Sequence, residues 1–414
     1  MKKVLLGTSA IALAGAFATQ ASAAEWTVKV GGYLEEQVVF TDTDDSTGGA
    51  DFNGVDVISD GEIHFSPSIT LDNGLKFGAR IELEGATSGD QIDENYLYVE
   101  GSFGRLSLGE DDNAAYIMAY GAPDVSFYNI NSGSDTDSLP FAAAFGTTST
   151  YPSVEGDSAG IRYFTPRLAG FQLGASYARD ANRHTSDSNK DTDADGALHD
   201  IWAVAANYAN SFGDVSVAAS AGYTRGSRNG TAGVDAIDPT GQFSFTNTIG
   251  KVATSSNDVE TAFCNSVGGI ALGGEGGPDI GDDDAVIQAP VCAAPAIPGT
   301  GNSDPTAYAF GLNIGFGGVT VGGSYANYDE TGSDRYVYDI GASYETGPWG
   351  FSATYLHSKQ DDSDAKIDKF LLAVSYAVAS GVKVGAFGAY EELDVKGGSD
   401  IDGFVIGTGV KLNF

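Results

Sequence analysis

The sequence predicts an all-β protein, a transmembrane antiparallel β-barrel of 16 strands. Three observations support this prediction. The chain begins with an export signal and has no later apolar segment long enough for a spanning helix. A two-residue alternation of apolar and polar side chains recurs along it, and the connections alternate between short turns and longer loops. A soluble β-sandwich gives no reason for its loops to be sorted in this way.

The N-terminus has the three parts of a secretory signal peptide. Lys2 and Lys3 precede an apolar run from Val4 to Phe17, and the small residues of Ala21-Ser22-Ala23 suit a cleavage site. We therefore expect residues 1–23 to be removed and residues 24–414 to leave the cytoplasm. An exported chain without spanning helices is either a soluble secreted protein or an outer-membrane barrel.

The composition is strongly acidic, with 56 Asp and Glu against 21 Lys and Arg and a formal net charge of −35. This charge excludes nucleic acid as a natural partner, because phosphate binding requires basic surfaces. It suits a surface that collects divalent cations or an interior that attracts cations, although acidic external loops alone would give the same total. The 57 Gly, 20 Tyr and 22 Phe are typical of a β protein with tight turns and aromatic rims.

The first predicted strand sets the pattern for the others. Its apolar face carries Trp26, Val28, Val30, Leu34, Val38 and Phe40. Glu36 interrupts that face and is predicted to lie near a rim. The second strand is predicted at 62–71, and Asp72-Asn73-Gly74 then makes a tight turn into the third at 75–84. The remaining strands are predicted at 91–101, 103–110, 158–167, 171–180, 198–210, 215–225, 305–316, 318–329, 333–346, 349–359, 366–378, 382–393 and 401–414.

Short and long connections between these strands alternate along the chain. Short turns are predicted at 72–74, 101–104, 167–170, 211–214, 317–318, 346–348 and 379–381. Longer loops are predicted at 41–57, 85–91, 110–157, 180–197, 226–304, 329–333, 360–365 and 394–400. Short turns at one end, longer loops at the other and both termini on the short-turn side are typical of an outer-membrane barrel.

The last predicted strand ends on an aromatic residue, Phe414. A sheet in contact with lipid must pair every backbone group, so this strand is expected to close the barrel against the strand that begins at Trp26.

Together these features resemble the general diffusion porins of Gram-negative bacteria, in particular the trimeric sixteen-stranded porins of alphaproteobacteria. The residues that carry the resemblance are Gly101-Ser102-Phe103-Gly104-Arg105-Leu106-Ser107-Leu108-Gly109, Ile161-Arg162-Tyr163-Phe164-Thr165-Pro166, Gly170-Phe171-Gln172-Leu173-Gly174-Ala175-Ser176-Tyr177 and Phe414. The resemblance implies a homotrimer in the outer membrane, in contact with its lipid and lipopolysaccharide, that lets small hydrophilic solutes and ions diffuse passively.

The resemblance also implies that the loop after the fifth strand, residues 110–157, folds inward and forms the constriction of the channel. The sequence departs from the family in two places. A Pro-Glu-Phe-type motif found in that loop of many members is not evident here, and the insertion at 226–304 is unusually long. Part of this extracellular insertion could cover or plug the mouth instead.

On such a barrel, the alternation suggests a charged constriction. The basic residues predicted to face inward form an arc on neighbouring strands, namely Lys29, Lys76, Arg80, Arg105, Arg162, Lys383 and Lys411. The acids of the inward loop are Glu110, Asp111, Asp112, Asp124, Asp135 and Asp137. We hypothesise that the two groups face each other and set up a transverse field, with a mild overall preference for cations. The alternative is that these side chains only solvate the interior or pair locally.

Two further sites are predicted in the long loops. Asp191, Asp193 and Asp195 have the spacing of the first half of a calcium loop, but Trp202 stands where the usual Glu would complete it. Ca²⁺ is therefore a candidate ligand, and no cofactor is required. Cys264 and Cys292 are expected to form a disulfide in an oxidising compartment, the alternative being two unpaired thiols.

The sequence does not predict an enzyme. Its four histidines, His64, His184, His199 and His357, are scattered without a serine elbow or a metal-binding helix. Two alternatives to passive diffusion stay open. One is a substrate-selective outer-membrane channel, and the other is a secreted calcium-dependent β-rich surface protein that would extract without detergent.

Overall fold

The computed structural model describes residues 25–43, 53–86, 91–128, 130–131, 148–181, 196–231, 270–271, 292–293, 303–330, 334–361, 363–394, 396 and 400–414. These residues belong to two compact units. One unit is a closed antiparallel barrel of sixteen strands. The second unit, made of Asp193–Ala197 and Asn229–Ser303, contains a separate two-stranded antiparallel sheet. No helix among the described residues is long and apolar enough to cross a membrane.

The bounds of the strands agree closely with the sequence pattern. The first half of the barrel consists of β1 (Thr27–Thr43), β2 (Gly54–Thr70), β3 (Lys76–Glu84), β4 (Ile92–Gly101), β5 (Gly104–Asp111), β6 (Ser158–Phe164), β7 (Phe171–Asp180), β8 (Leu198–Phe212) and β9 (Val215–Arg228). The small sheet pairs β10 (Ile270–Ala271) with β11 (Cys292–Ala293). The barrel continues with β12 (Thr306–Phe316), β13 (Val319–Asp329), β14 (Arg335–Thr346), β15 (Trp349–Gln360), β16 (Lys366–Ala379), β17 (Val382–Asp394) and β18 (Ile401–Asn413). One short helix, α1 (Ala114–Ile117), follows β5.

The predicted closure is confirmed, because β1 pairs with β18 from Tyr33↔Asn413 to Thr43↔Gly403. Backbone bonds between Gly32 and Phe414 extend this pairing to the last residue, at 3.0 and 3.1 Å. Every barrel strand thus has two neighbours, which is what a sheet in contact with lipid requires.

The short turns are also where the sequence predicts them. At the turn between β12 and β13, Gly317 and Gly318 have φ of 60° and 86°, values that residues with a side chain rarely adopt. A Cβ on Gly318 would lie 2.5 Å from the carbonyl oxygen of Glu345, so the next hairpin leaves no room for one.

Exposure identifies the two faces of the wall. Along β12, Tyr308, Phe310 and Leu312 are 36%, 55% and 48% exposed, whereas Ala307 and Ala309, at the alternate positions, are buried. The exposed apolar face is the outside of the barrel, and the alternate positions point inward.

Two expectations for the first strands are wrong. The second strand begins at Gly54 rather than near residue 62, so the predicted loop at 41–57 is shorter. Asp56 and Asp60 obscured the alternation in the sequence, although both lie in a paired strand. Glu36 does not lie near a rim. It occupies the middle of β1, on the outer face, opposite Val410 of β18.

Candidate functional site

The segment that follows β5 lies against the inner face of the barrel. It starts with α1, whose N-cap Asn113 accepts hydrogen bonds from the backbone N–H groups of Ala115 and Tyr116, at 2.9 and 3.0 Å. Short polar side chains of successive strands then bond to its backbone. Asn207 of β8 donates to the Met118 carbonyl, at 3.3 Å, and Ser220 of β9 accepts from the Tyr120 N–H, at 2.9 Å.

The same pattern continues around the wall. Asn313 of β12 donates to the Gly121 carbonyl, at 3.0 Å, and Ser352 of β15 accepts from the Val125 N–H, at 3.1 Å. These bonds satisfy backbone groups that no sheet or helix pairs, and so hold an irregular segment against the strands.

Asp339 of β14 is the main polar anchor of this segment. Its Oδ1 accepts from the Ala122 N–H at 3.2 Å, and its Oδ2 accepts from the side chain of Asn131 at 2.8 Å and from that of Thr150 at 3.3 Å. Oδ1 also accepts from the Ser324 hydroxyl, at 2.7 Å. The carboxylate is only 4% exposed and joins the outgoing part of the segment, its returning part and the wall.

Near the far end of the described segment, Tyr128 bonds to a buried ion pair of the wall, Glu391 and Lys369. Tyr128 donates to Glu391 of β17, at 2.8 Å, and its ring stacks on Phe387, with 5.3 Å between centroids. Burial and the neighbouring Glu391 raise the pKa of Tyr128 well above its ordinary value, so its hydroxyl remains a donor. Lys369 of β16 lies 3.5 Å from Glu391, and both side chains are fully buried.

Apolar packing surrounds this ion pair. Inward residues of the strands, including Val337, Leu356, Ile367 and Leu371, form a buried cluster with Tyr128. Residues that face the interior of a water-filled barrel are normally polar. These are apolar because the segment covers them.

The predicted basic arc splits into residues with different surroundings. Arg162 does not face open space, because it is 2% exposed and donates to the backbone carbonyls of Gly109, Asp112 and Ser158. It therefore fixes the start of the inward segment. Lys383 is half-buried and donates to the Val125 carbonyl, at 2.8 Å.

The remaining residues of the arc lie on β1, β3, β5 and β18. Arg80 bonds to Glu82 and also donates to Nδ1 of His64, at 2.8 Å. Nε2 of His64 lies 2.6 Å from Glu62, which also accepts from the Tyr33 hydroxyl, at 3.1 Å. This cluster alternates cationic, neutral and anionic groups along the inner surface.

A second cluster lies closer to the short turns. The Arg105 guanidinium stands over the Tyr98 ring at 4.2 Å and over the Tyr96 ring at 5.5 Å, and Lys76 stands 5.6 Å from the centre of the Tyr98 ring. On β18, Lys411 pairs with Glu35 at 3.0 Å. Lys29 is exposed on the inner face of β1, opposite Ser66. These local contacts agree with the alternative in which the arc pairs on its own wall.

The predicted acids of the loop are likewise separated. Glu110 ends up buried, at 7% exposed, and pairs with Asn95 in the register of the outward residues Leu97 and Leu108 rather than on the inner face with Asp111. The carboxylate of Asp111 lies 3.9 Å from Arg162. Asp124 accepts from the hydroxyls of Ser126 and Ser352, at 2.6 and 2.7 Å. Asp135 and Asp137 lie outside the described residues.

Two carboxyl groups of the segment titrate near neutral pH. Burial, together with the charges of Asp157 and Asp111, raises the pKa of Asp112 to about 8. Burial raises the pKa of Glu155 to about 7, against a hydrogen bond from Ser158. The charge of the two ends of the segment, next to β5 and β6, therefore depends on pH in this range.

Three groups of side chains could hold a cation. Ligand atoms of Glu94, Asp112 and Asp157 lie within 4.8 Å of one another, and so do those of Glu62, Glu84 and Asp93. Sets made only of carboxylates suit hard ions such as Ca²⁺. Glu62, His64 and Glu82 form the third group, but two of its members, His64 and Glu82, already accept hydrogen bonds from Arg80. The predicted calcium ligands Asp191, Asp193 and Asp195 lie outside the described residues, as does Cys264. Only the backbone of Cys292 is described.

Sequence reasoning missed Asp339, Glu391, Lys369 and Arg335. Arg335 is buried, lies 4.5 Å over the Tyr328 ring and is not among the inward cations that the sequence predicted. The available signal was a charged residue at an inward position between apolar ones, as in Ile367, Lys369 and Leu371. This pattern predicts a buried partner rather than a solvated interior.

Comparison with known proteins agrees with this architecture. A family model described as Gram-negative porin matches residues 8–277 and 265–397. The chain is similar to the solved anion-selective porin from Comamonas acidovorans, with 15% identity, a TM-score of 0.56 and 94% and 100% of the two chains covered. It is also similar to the outer membrane channel DcaP of Acinetobacter baumannii, with 10% identity, a TM-score of 0.57 and coverage of 95% and 99%.

A third similar structure is the trimer form of OmpT, an outer membrane protein of Vibrio cholerae, with 16% identity, a TM-score of 0.54 and coverage of 94% and 99%. At these identities the similarity to solved structures shows the fold alone. No curated protein sequence matches the chain.

Proposed function

This chain belongs to the Gram-negative porin family and forms a channel in the outer membrane, and from that premise we propose that small hydrophilic solutes and ions diffuse through it passively, with a mild preference for cations. The expected partners are the permeating solutes, the lipid and lipopolysaccharide of the membrane, and two further copies of the chain in a homotrimer.

The observation that carries the proposal is the position of the segment after β5. Its described residues bond to the inner faces of β8, β9, β12, β14 and β15 and reach β17. The inner faces of β1 to β3 carry charged and hydroxyl groups such as Tyr33, Glu62 and Arg80. A polar passage between the segment and this wall would let hydrated solutes cross while the segment limits its width.

The preference for cations follows from the charges beside this passage. Described carboxyl groups on the inner faces of β1 to β4 include Glu35, Asp56, Asp60, Glu62, Glu82, Glu84, Glu94 and Glu100. The described cations of β1 to β5 and β18 on that side are Lys29, Lys76, Arg80, Arg105 and Lys411. Asp112 adds negative charge when it ionises. An excess of one sign in a narrow passage raises the local concentration of the opposite ion.

The experiment is a zero-current potential across a planar bilayer that holds the purified protein in a salt gradient. We expect stepwise conductance in groups of three levels and a potential of the sign for cation selectivity. Arg105→Gln should increase that potential, and Lys396→Gln, at an exposed position on a loop, is the control that should leave it unchanged. An anion-selective potential would contradict the proposed preference, and absence of conductance from a folded, inserted barrel would contradict passive diffusion.

A further inference from the structure

Charged side chains on the inner face of the barrel are sorted along its axis. On the short-turn side, where both chain ends also lie, inward cations occur within three residues of the end of a strand. The described ones are Lys29, Lys76, Arg105, Arg162, Lys383 and Lys411. Glu100 and Glu345 are the described acids in equivalent positions. Cations therefore predominate at this end.

At the opposite end, where the strands run into the longer loops, the inner face is acidic. Arg228 and Arg335 are the described cations within three residues of a strand end there. The described acids in equivalent positions are Asp56, Glu82, Glu84, Asp93, Glu94, Asp111 and Asp180.

Ion pairs at the acidic end offset only part of this charge. Arg80, in the middle of β3, bonds to Glu82. Arg162 is buried, and its guanidinium lies 3.9 Å from the carboxylate of Asp111, so it acts on this end rather than on the short-turn end. The remaining carboxyl groups still outnumber the cations, and Asp112 follows directly after β5.

The five other cations of the short-turn end are mostly not paired with carboxylates. Among them, only Lys411 has a described ion pair, with Glu35 at 3.0 Å. Lys383 lies directly opposite Lys411 and donates to a backbone carbonyl, at 2.8 Å. The Arg105 guanidinium stands over the Tyr98 ring, at 4.2 Å, rather than on a carboxylate. The positive charge of this end is therefore available to ions in the passage.

The turns add one further cation to this end. Arg167, in the turn after β6, donates to Gln172 at 2.9 Å and to Asn207 at 2.7 Å, and both of these side chains lie on the inner face. Asp72 and Asp214 are exposed in two other turns and make no described hydrogen bond or ion pair with an inner residue.

We propose that the passage is electrically polar along its axis and therefore rectifies ionic current. Its long-loop mouth collects cations and its short-turn mouth collects anions. The inference rests on the proposed diffusion through the barrel, and it differs from a transverse field at a constriction because the two signs of charge are separated along the strands.

The direction of rectification follows from the two mouths. When the long-loop side is positive, cations enter through the acidic mouth and anions enter through the basic mouth, so each ion is attracted where it enters and both accumulate in the passage. The opposite voltage draws each ion through the mouth that repels it, and the passage loses ions of both signs. The larger current is therefore expected when the long-loop side is positive.

The test records current against voltage for purified barrels of known orientation in a planar bilayer. Cys264 and Cys292 are changed to serine, and biotin is attached to Lys396→Cys, at an exposed position on the loop after β17. After each recording, streptavidin added to one chamber identifies the barrels whose long loops face it. In about 10 mM salt, where charges act over about 30 Å, we expect about twofold more current with the long-loop side positive, and in about 1 M salt a ratio near one.

Two variants connect the ratio to the named charges. Lys76→Gln combined with Arg105→Gln should bring the ratio in dilute salt toward one, because it removes two cations of the basic mouth. Lys366→Gln, the same loss of charge on the outer face of β16, is the matched control and should leave the ratio unchanged.

A second measurement needs neither variant. The zero-current potential should indicate a stronger preference for cations when the dilute solution is on the long-loop side than when it is on the short-turn side, because charges at the dilute mouth are screened less. Equal potentials for the two directions, or a ratio of one in dilute salt from normally conducting barrels, would overturn the axial polarity and leave passive diffusion standing. A larger current with the short-turn side positive would also overturn it, whereas absence of current would contradict both proposals.

Discussion

Substitution Asp339→Ala should release the middle of the inward segment from the wall. Three groups of the segment bond to this carboxylate, the backbone N–H of Ala122 and the side chains of Asn131 and Thr150. A hydrogen bond to a charged group contributes about 1.5–3 kcal/mol, so loss of the two shorter bonds, at 2.8 and 3.2 Å, weakens the attachment by on the order of 3–6 kcal/mol.

This loss corresponds to a decrease of about 10²–10⁴ in the ratio of attached to detached segment, at about 1.4 kcal/mol for each factor of ten. The barrel should remain closed, because its strands are paired through their own backbones. We therefore expect an intact, heat-modifiable barrel whose single open level is replaced by rapid fluctuations, as the freed segment enters and leaves the passage.

The assay is single-channel recording at fixed voltage, with the power spectrum of the open level as the readout. Asp402→Ala is the matched control, since Asp402 lies near the start of β18 and makes no described bond to the inward segment. If Asp339→Ala has the same open level and noise as the unchanged protein, the carboxylate does not hold the segment and our account of this anchor is wrong.

Three further predictions concern charge. Asp112 is neutral below its pKa of about 8 and anionic above it, so cation selectivity should rise as the pH passes from 7 to 9, and Asp112→Asn should flatten that part of the titration of the zero-current potential. Arg162→Gln should increase channel noise rather than change ion selectivity, because Arg162 bonds to the backbone of the segment; a selectivity change as large as that of Arg105→Gln would contradict this role. Lys369→Met should destabilise the barrel by about 3–5 kcal/mol because it leaves the carboxylate of Glu391 buried and unpaired, and Lys369→Met with Glu391→Leu should recover most of the loss in a denaturant titration.

Asp112 also affects stability in a direction that can be checked. Its folded pKa lies above the ordinary value of 3.8, so between pH 4 and 8 the folded state binds more protons than the unfolded state. Stability must therefore fall as the pH rises through this window, and the Asp112→Asn variant should lose less stability over it.

The strand count, the closure and the sorting of the connections could be predicted from the sequence. Successive side chains of a strand point to opposite faces, so the sequence of a half-buried strand alternates between apolar and polar residues. Tight turns require particular residues, such as Gly317 and Gly318. Both signals are local in the sequence. The family could be recognised for the same reason, from stretches such as Phe103 to Gly109. The start of β2 was missed because Asp56 and Asp60 disturb that local pattern.

The tertiary structure decided which inward side chains face a passage and which lie beneath protein. Alternation places Arg80, Arg162 and Lys369 on one inner surface, but the segment after β5 covers only some strands, so Arg80 borders the passage while the other two are buried. The position of Glu36 in the middle of the wall, rather than near a rim, was equally inaccessible to the sequence. A side chain's height depends on the stagger between its strand and its neighbours, and that stagger is fixed only when the barrel closes.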